Sequence, residues 1–224
     1  MPIDYPLARL LQLSSPSLPI GLYCYSQGME RAVEDGWIGN EQQVEAWISG
    51  LLEHSLKLTD IPVLFRLYRA WTNEDHPAIV QWSRTLIACR ETSELREEDR
   101  HGGHALARLL VGLNMDQGEA WINRPEATLA TCFSLAAVKW NIPELDTALG
   151  YLWAWLENQV LCAVKLVPLG QVSGQQLLWR LQERLPDIIA DAMKIRDDEI
   201  GGSLFGLALA SSRHEEQYSR LYRS

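Results

Sequence analysis

Hydrophobic residues recur at intervals of three and four along nearly the whole chain, with no extended stretch of strict alternation. This spacing predicts amphipathic helices, since strand faces repeat every second residue. Residues that stop helices fall between the apolar stretches, as in the Ser/Pro segment 14–19 and at Gly36. We therefore predict an all-α fold, a single-domain helical bundle of about ten helices.

Helix starts are marked by short polar side chains at N-cap positions. Asn40 with Gln43 resembles a capping box, and Ser173 with Gln176 suggests another. Asp60 and Asp75 each lie two residues before a proline, which a helix tolerates in its first turn. These four positions predict the beginnings of four helices.

The segment Leu145–Leu166 is apolar almost all round and predicts the central, most buried helix, with Trp153 and Leu156 in the core. A second long helix is predicted after Thr92. Its Gly102-Gly103 pair lacks side chains, so we expect another helix to approach closely there.

An acidic stretch, Asp197–Glu199, followed by Gly201-Gly202, predicts a hinge near the C-terminal end. We divide the chain there into an all-α domain, 1–202, and a partner-binding tail, 203–224. If the tail is one helix, Tyr218 and Tyr222 share a stripe that a partner could bind. We expect the tail to be mobile until a partner orders it; a terminal helix docked on its own domain is the alternative.

Composition narrows the classes of function. The 224 residues suit one domain, and 20 basic against 29 acidic residues give a net charge of −9, which disfavours nucleic acid and anionic membranes as partners. The four cysteines form no C-x-x-C pair, so we expect reduced thiols rather than a zinc ribbon. No signal peptide or membrane span is recognisable, and a cytoplasmic protein is expected.

Sequence signatures of phosphate loops, zinc proteases and serine hydrolases are absent from the chain. The pair His101 and His104, with Glu98 one turn earlier, is a weak candidate for a metal site, because two histidines need a further ligand. Lys165 lies among apolar residues. It is either paired or functional, or it reaches water from the last turn of its helix.

Four segments together resemble the UreF family of urease accessory proteins. They are LLQLSSPSLPIGLYCYSQGMERAVEDGWI, ACRETSELREEDR, AVKLVPLGQVSGQQLL and SRHEEQYSRLYRS, and they occur in the family's order from residue 10 to residue 224. The His101-Gly102-Gly103-His104 stretch departs from the family pattern, so we assign no metal site there.

The resemblance implies a non-enzymatic, dimeric, all-α chaperone. Such a protein joins the accessory protein UreD (also called UreH) and the GTPase UreG on apo-urease for nickel insertion, and it has been suggested to regulate the GTPase. No cofactor would be stably bound, because the complex as a whole would handle Ni²⁺.

The resemblance also implies functional residues, position by position. Pro19, Gly21, Gly28 and Gly170 suggest turns and close packing. The residues expected to face the partners or the GTPase are Ser26, Glu30, Arg90, Glu91, Lys165, Gln171 and Gln175. The residues expected to bind UreD/UreH from the tail are His214, Glu215, Tyr218, Arg220, Tyr222 and Arg223.

Two other classes of function remain open from the residues alone. One is a general helical adaptor protein unrelated to urease. The other is a metal-dependent hydrolase that uses Glu98, His101 and His104.

Overall fold

The computed structural model describes residues 5–224, and this part of the chain is all-α, as predicted, with eleven α-helices and no β-strand. The helices are α1 (Tyr5–Leu13), α2 (Met29–Glu34), α3 (Glu41–Leu51), α4 (Ile61–Thr72), α5 (His76–Ala88), α6 (Ser93–Gly112), α7 (Leu129–Lys139), α8 (Glu144–Leu166), α9 (Gln171–Gln182), α10 (Leu185–Ala192) and α11 (Phe205–His214).

A π-helix, Leu52–Asp60, joins α3 to α4 without a break. The prediction that Asp60 begins a helix is therefore wrong. Asp60 has helical backbone angles, with φ −65° and ψ −50°, and its side chain caps nothing. Its carboxylate binds a buried arginine instead. Three short 3₁₀ segments complete the helical structure: Leu22–Cys24, Asp116–Trp121 and Asp197–Glu199.

Two of the predicted N-caps are confirmed. The side chain of Asn40 accepts a hydrogen bond from the Gln43 amide at 3.0 Å, and Asp75 accepts one from the Ala78 amide at 3.0 Å. The cap predicted at Ser173 is wrong, because α9 begins earlier, at Gln171, with no side-chain cap.

Helix α8 lies at the centre of the fold, against α1, α2, α3, α4, α7, α9 and α10. Leu156 is fully buried, as predicted. Trp153 is only partly buried, which corrects that prediction, and Leu145 is 51% exposed. The first turns of α8 reach the surface, so this helix is less buried than its apolar sequence predicts. Helix α7 is covered more completely along its length.

The predicted close approach at the α6 glycines is confirmed. A Cβ atom added at Gly103 would lie 2.7 Å from the main-chain carbon of Thr128, at the start of α7. Non-bonded contacts of a Cβ atom are essentially never that short, so α6 and α7 can pack this way only with glycine at this position.

We expect Gly103→Ala to destabilise the protein by about 1–3 kcal/mol, because the added methyl group must push two helix backbones apart. Gly112→Ala is the matched control on the same helix, since nothing lies within 4 Å of its added Cβ. The control should be neutral or stabilising by up to about 1 kcal/mol. Urea denaturation of both variants measures the difference, and equal stabilities would contradict the close approach.

No helix within residues 5–224 combines the length and the apolar character that crossing a membrane requires. All four cysteines are free thiols; Cys132 and Cys162 are buried, and Cys24 and Cys89 are partly exposed.

Candidate functional site

The C-terminal residues fold back onto α2 and α6, and this contact brings together the first, second and fourth motifs. Helix α11 ends at His214, and the chain then continues without regular structure to Ser224. The stripe predicted from one continuous helix is therefore wrong, because Tyr222 is only 5% exposed whereas Tyr218 is fully exposed.

The side-chain carboxylate of Glu30 binds the main chain of the tail. Its two carboxylate oxygens accept hydrogen bonds from the amides of Leu221, at 2.7 Å, and Tyr222, at 2.8 Å. Glu30 lies in the first turn of α2, and this turn positions its carboxyl group. The main-chain amide of Glu30 donates a hydrogen bond to the hydroxyl of Ser26 at 3.2 Å. Glu30 thus binds its own chain rather than facing solvent.

His214 lies between two carboxylates and is completely buried. Its Nδ1 is 2.8 Å from Glu94 Oε2, and its Nε2 is 3.3 Å from Glu30 Oε2. Arg220 donates to the other oxygen of Glu94 at 2.7 Å. One cluster of charged side chains therefore connects α2, α6, α11 and the tail, and we call Glu30, Glu94, His214 and Arg220 the tail cluster.

The last residues are bound by a second set of contacts. The amide and the hydroxyl of Ser26 both donate to the main-chain oxygen of Ser224 at 2.7 Å. The amide of Arg223 donates to the carbonyl of Cys24 at 2.8 Å, and the Ser224 hydroxyl donates to Glu98 at 3.1 Å. Ser26 and Ser224 are completely buried.

The hinge predicted around residues 197–202 is attached to the body. Arg66 on α4 donates to Asp197 at 3.0 Å and to the Ile195 carbonyl at 2.5 Å. The amide of Gly201 donates to the Leu58 carbonyl of the π-helix at 3.1 Å. The expectation of an uncoupled, mobile tail therefore gives way to the docked alternative, since both the hinge and the tail are bound.

Two of the motif glycines have the backbone angles that glycine favours. Gly28 has a φ of 74°, and a Cβ there would lie 3.1 Å from the Cβ of Ala210 on α11. Gly21 has a φ of 75°. Gly170, in contrast, has a φ of −71° with open space around it, so nothing in its geometry requires glycine.

Arg90, from the second motif, has only 14% of its side chain exposed and pairs with two carboxylates of its own chain. Its guanidinium donates to Asp60 at 2.5 Å and 3.1 Å and to Asp99 at 2.6 Å. Burial alone would lower the pKa of Arg90, but the two carboxylates outweigh it and hold the pKa above its ordinary value. Arg90 therefore joins the π-helix to α6.

A cavity of about 70 Å³ lies beside this arginine, lined by side chains from the first motif, the π-helix, α6 and α8. Glu98 lies on its wall and accepts a hydrogen bond from Gln27 at 2.8 Å; Gln27 in turn accepts one from Trp155 at 2.8 Å. Burial raises the pKa of Glu98 from its ordinary value of 4.5 to about 7. The cavity thus contains a carboxyl group that can change charge near neutral pH.

The two histidines of α6 bind different neighbours. His101 hydrogen-bonds the hydroxyl of Tyr25 at 2.9 Å, and His104 the carbonyl of Arg124 at 2.9 Å. Across residues 5–224, no three histidine, cysteine, aspartate or glutamate side chains are grouped so that they could hold a metal ion.

The remaining motif residues are on the surface. Lys165 is exposed at the end of α8, with its ammonium nitrogen 5.9 Å from the ring centre of Tyr222, as expected for a lysine that reaches water from the last helical turn. Glu91, Gln171 and Gln175 are also exposed. Glu215 is exposed too and accepts hydrogen bonds from the amide and hydroxyl of Ser93.

Sequence reasoning missed Glu94, Gln27, Asp60 and Asp99 as members of this site. It named Glu98 only as a candidate metal ligand, whereas Glu98 accepts hydrogen bonds from Gln27 and Ser224. Helical spacing carried a signal for part of the site: Glu98 and Asp99 lie four and three residues before Gly102, on the buried seam of α6. Carboxylates on a buried face need partners. The partners themselves come from distant segments, which spacing does not reveal.

The fold and site together define a helical protein in which Ser26 and Glu30 of the first motif bind the C-terminal segment of the same chain. A family model described as UreF matches residues 38–182. Urease accessory protein UreF of Alkalilimnicola ehrlichii is 52% identical over 216 residues, covering 96% of this chain and 95% of that protein. Proteins of the same name from Hahella chejuensis and Pseudomonas putida are 46% and 49% identical, each over at least 97% of both chains. This chain belongs to the UreF family of urease accessory proteins.

Proposed function

We propose that this chain is a non-enzymatic chaperone of urease maturation that bridges UreD/UreH and the GTPase UreG on apo-urease during nickel insertion. It would work in the cytoplasm as a homodimer and bind no cofactor stably, with Ni²⁺ handled by the assembled complex. Regulation of the GTPase is part of this proposal. The absence of a phosphate-loop motif from the sequence supports a division of labour in which UreG supplies nucleotide chemistry.

The observation that carries the proposal is the way in which the tail is bound. Its amides and its buried side chains hold it to the body, so other side chains are left pointing outward. Tyr218 is fully exposed, and Leu221 is 65% exposed. Exposed aromatic and apolar side chains on a well-anchored backbone are typical of binding surfaces. The ammonium group of Lys165 lies over the ring of Tyr222, the residue that follows Leu221.

The metal-dependent hydrolase is not supported, because Glu98, His101 and His104 each bind a different neighbour in the fold. A general helical adaptor remains compatible with the geometry. Membership in the UreF family favours urease maturation over that alternative.

We expect Lys165→Glu to lower urease activation in cells by about tenfold, because a reversed charge in a partner interface opposes binding. Melting temperature should change little, because the side chain is exposed. Lys139→Glu is the matched control, since Lys139 is an exposed lysine in the last turn of α7. The readouts are urease activity from the co-expressed operon and co-purification of UreD/UreH and UreG with this chain.

Equal activation by both lysine variants would contradict a role for this surface. An operon without this chain that still yields fully active urease would contradict the proposed function itself. Tyr218→Ala and Leu221→Ala test the tail in the same assay, and each should weaken co-purification of UreD/UreH while leaving the fold intact.

A further inference from the structure

The buried histidine of the tail cluster has an unusual hydrogen-bonding requirement. Both ring nitrogens of His214 face carboxylate oxygens, from Glu94 and Glu30. A carboxylate only accepts hydrogen bonds, and a neutral imidazole carries one N–H. Both contacts are satisfied only if the ring is doubly protonated, or if one of the carboxyl groups carries the extra proton.

We propose that the tail cluster is a proton-operated latch, in which a proton held between His214, Glu30 and Glu94 keeps the C-terminal tail closed on the body. Loss of that proton leaves one carboxylate facing a ring nitrogen with a lone pair. Because Glu30 also binds the amides of Leu221 and Tyr222, this repulsion acts directly on the residues that fix the tail. This inference concerns the isolated chain and does not depend on any partner.

The charge balance of the surroundings supports the latch. Glu94 and Glu98 are four residues apart on the buried face of α6, where like charges repel. With His214 and Glu98 both protonated, the charges of Glu30 and Glu94 are balanced by those of His214 and Arg220. With both deprotonated, Glu30, Glu94 and Glu98 are three buried carboxylates. Arg220 pairs with Glu94, and the nearest other cation, Arg90, is already shared by Asp60 and Asp99.

Other charged or titratable groups around the cluster do not supply the missing positive charge. Arg90 is shared between Asp60 and Asp99, Arg213 and Arg31 both bind Asp35, and Lys165 lies in the exposed layer above Tyr222. Most other titratable groups on neighbouring elements are neutral or acidic: Tyr25 before α2, Asp99 on α6, Tyr151 and Cys162 on α8, and Glu215 and Tyr222 in the tail. Arg96 on α6 is basic, but it donates to the Arg90 carbonyl and acts on Glu215. Arg223 binds residues outside the tail cluster. Its amide donates to the Cys24 carbonyl, and its side chain hydrogen-bonds Tyr25.

Glu98 adds to the effect in the same direction. Its pKa in the fold, about 7, is above the ordinary value of 4.5, so between those values the folded chain holds a proton that the unfolded chain has lost. Its contribution to stability is therefore greatest at low pH and falls as pH rises towards 7. Loss of the proton held in the tail cluster acts in the same direction, because it leaves a carboxylate facing an unprotonated ring nitrogen. Both effects therefore favour a closed tail at low pH and an open one at high pH.

Hydrogen exchange of the Leu221 and Tyr222 amides tests the latch. Each protection factor is the intrinsic exchange rate divided by the measured one, so the pH dependence of the exchange chemistry cancels. Each proton linked to closure changes the closed-to-open ratio by up to about tenfold per pH unit. We expect protection of both amides to fall about tenfold or more between pH 6 and pH 8, with the amide of the core residue Leu156 as internal control.

Two variants isolate the groups responsible. His214→Gln retains a hydrogen-bond donor and an acceptor, but the new side chain does not change charge with pH. This variant should therefore flatten the pH dependence of amide protection. Glu98→Gln should flatten only the part of the profile below about pH 7. A wild-type profile that is level from pH 6 to pH 8 would overturn the proposal, as would an unchanged slope in His214→Gln.

A second measurement remains available if His214→Gln does not fold. Nitrogen NMR of the ¹⁵N-histidine-labelled wild-type chain reports how many ring nitrogens of His214 carry protons. The latch requires the extra proton on the ring or on its carboxylate partners in the closed state, and a companion ¹³C spectrum reads the carboxyl groups. A closed tail at pH 6 with a singly protonated ring and ionised Glu30 and Glu94 would overturn it.

Discussion

Replacement of Arg90 by methionine should lower the free energy of unfolding by about 3–5 kcal/mol, the loss expected when one partner of a buried ion pair is removed. The side chains of Arg90, Asp60 and Asp99 are 14%, 3% and 7% exposed. Without the guanidinium, two carboxylates face each other inside the protein with no cation between them. Urea denaturation at pH 7 measures the loss.

The pH dependence of the Arg90→Met variant distinguishes lost charge balance from lost packing. Burial already raises the pKa of Asp99 in the wild-type protein, and removal of the arginine should raise it further. A carboxyl group with a raised pKa takes up its proton as pH falls, which relieves the repulsion. The variant should therefore recover part of its stability between pH 7 and pH 5.

Arg84→Met is the matched control for Arg90. Arg84 pairs with Glu126 at 2.6 Å, but its side chain is 67% exposed, so solvent screens the interaction. Its loss should cost less than about 1 kcal/mol. If both arginine variants lose the same stability, the buried triad of Arg90, Asp60 and Asp99 does not contribute as described.

Truncation of Leu156 to alanine should cost about 2–5 kcal/mol, because a fully buried leucine at the centre of α8 leaves a cavity when it is shortened. Leu145→Ala on the same helix is the control. Leu145 is 51% exposed, and its truncation should change stability by no more than about 0.5 kcal/mol. Thermal and urea unfolding of both variants give the comparison. Similar losses in the two would mean that α8 is peripheral.

Much of the fold was predictable because helix formation leaves local signals in the sequence. The caps at Asn40 and Asp75 depend on side chains three residues from the amides they bind, and both predictions are confirmed. The cap predicted at Asp60 failed for a long-range reason. Its carboxylate binds Arg90, thirty residues away, and the local preference for capping gives way to that pairing.

The sequence predicted which residues belong to the candidate site, but not which residues they contact. The family motifs pointed to Ser26, Glu30, Arg90 and the tail, and the structure brings Ser26, Glu30 and the tail together. It does not place Arg90 or Glu30 on an open surface. Their partners lie up to 192 residues away in sequence, and helical periodicity carries no information about pairs at that separation.

The π-helix from Leu52 to Asp60 has a consequence for which mutations the chain tolerates. Each residue turns an α-helix by about 100°, so the length of this segment sets the rotational phase of α3 relative to α4. A π-helix turns less per residue than an α-helix, so deletion of one residue would let this segment wind as an ordinary α-helix with little change in the rotation of α4 relative to α3. An insertion would instead turn the two helices relative to each other. We therefore expect the segment to tolerate loss of one residue better than gain of one, as long as the buried side chains Leu52, Leu56 and Asp60 keep their contacts.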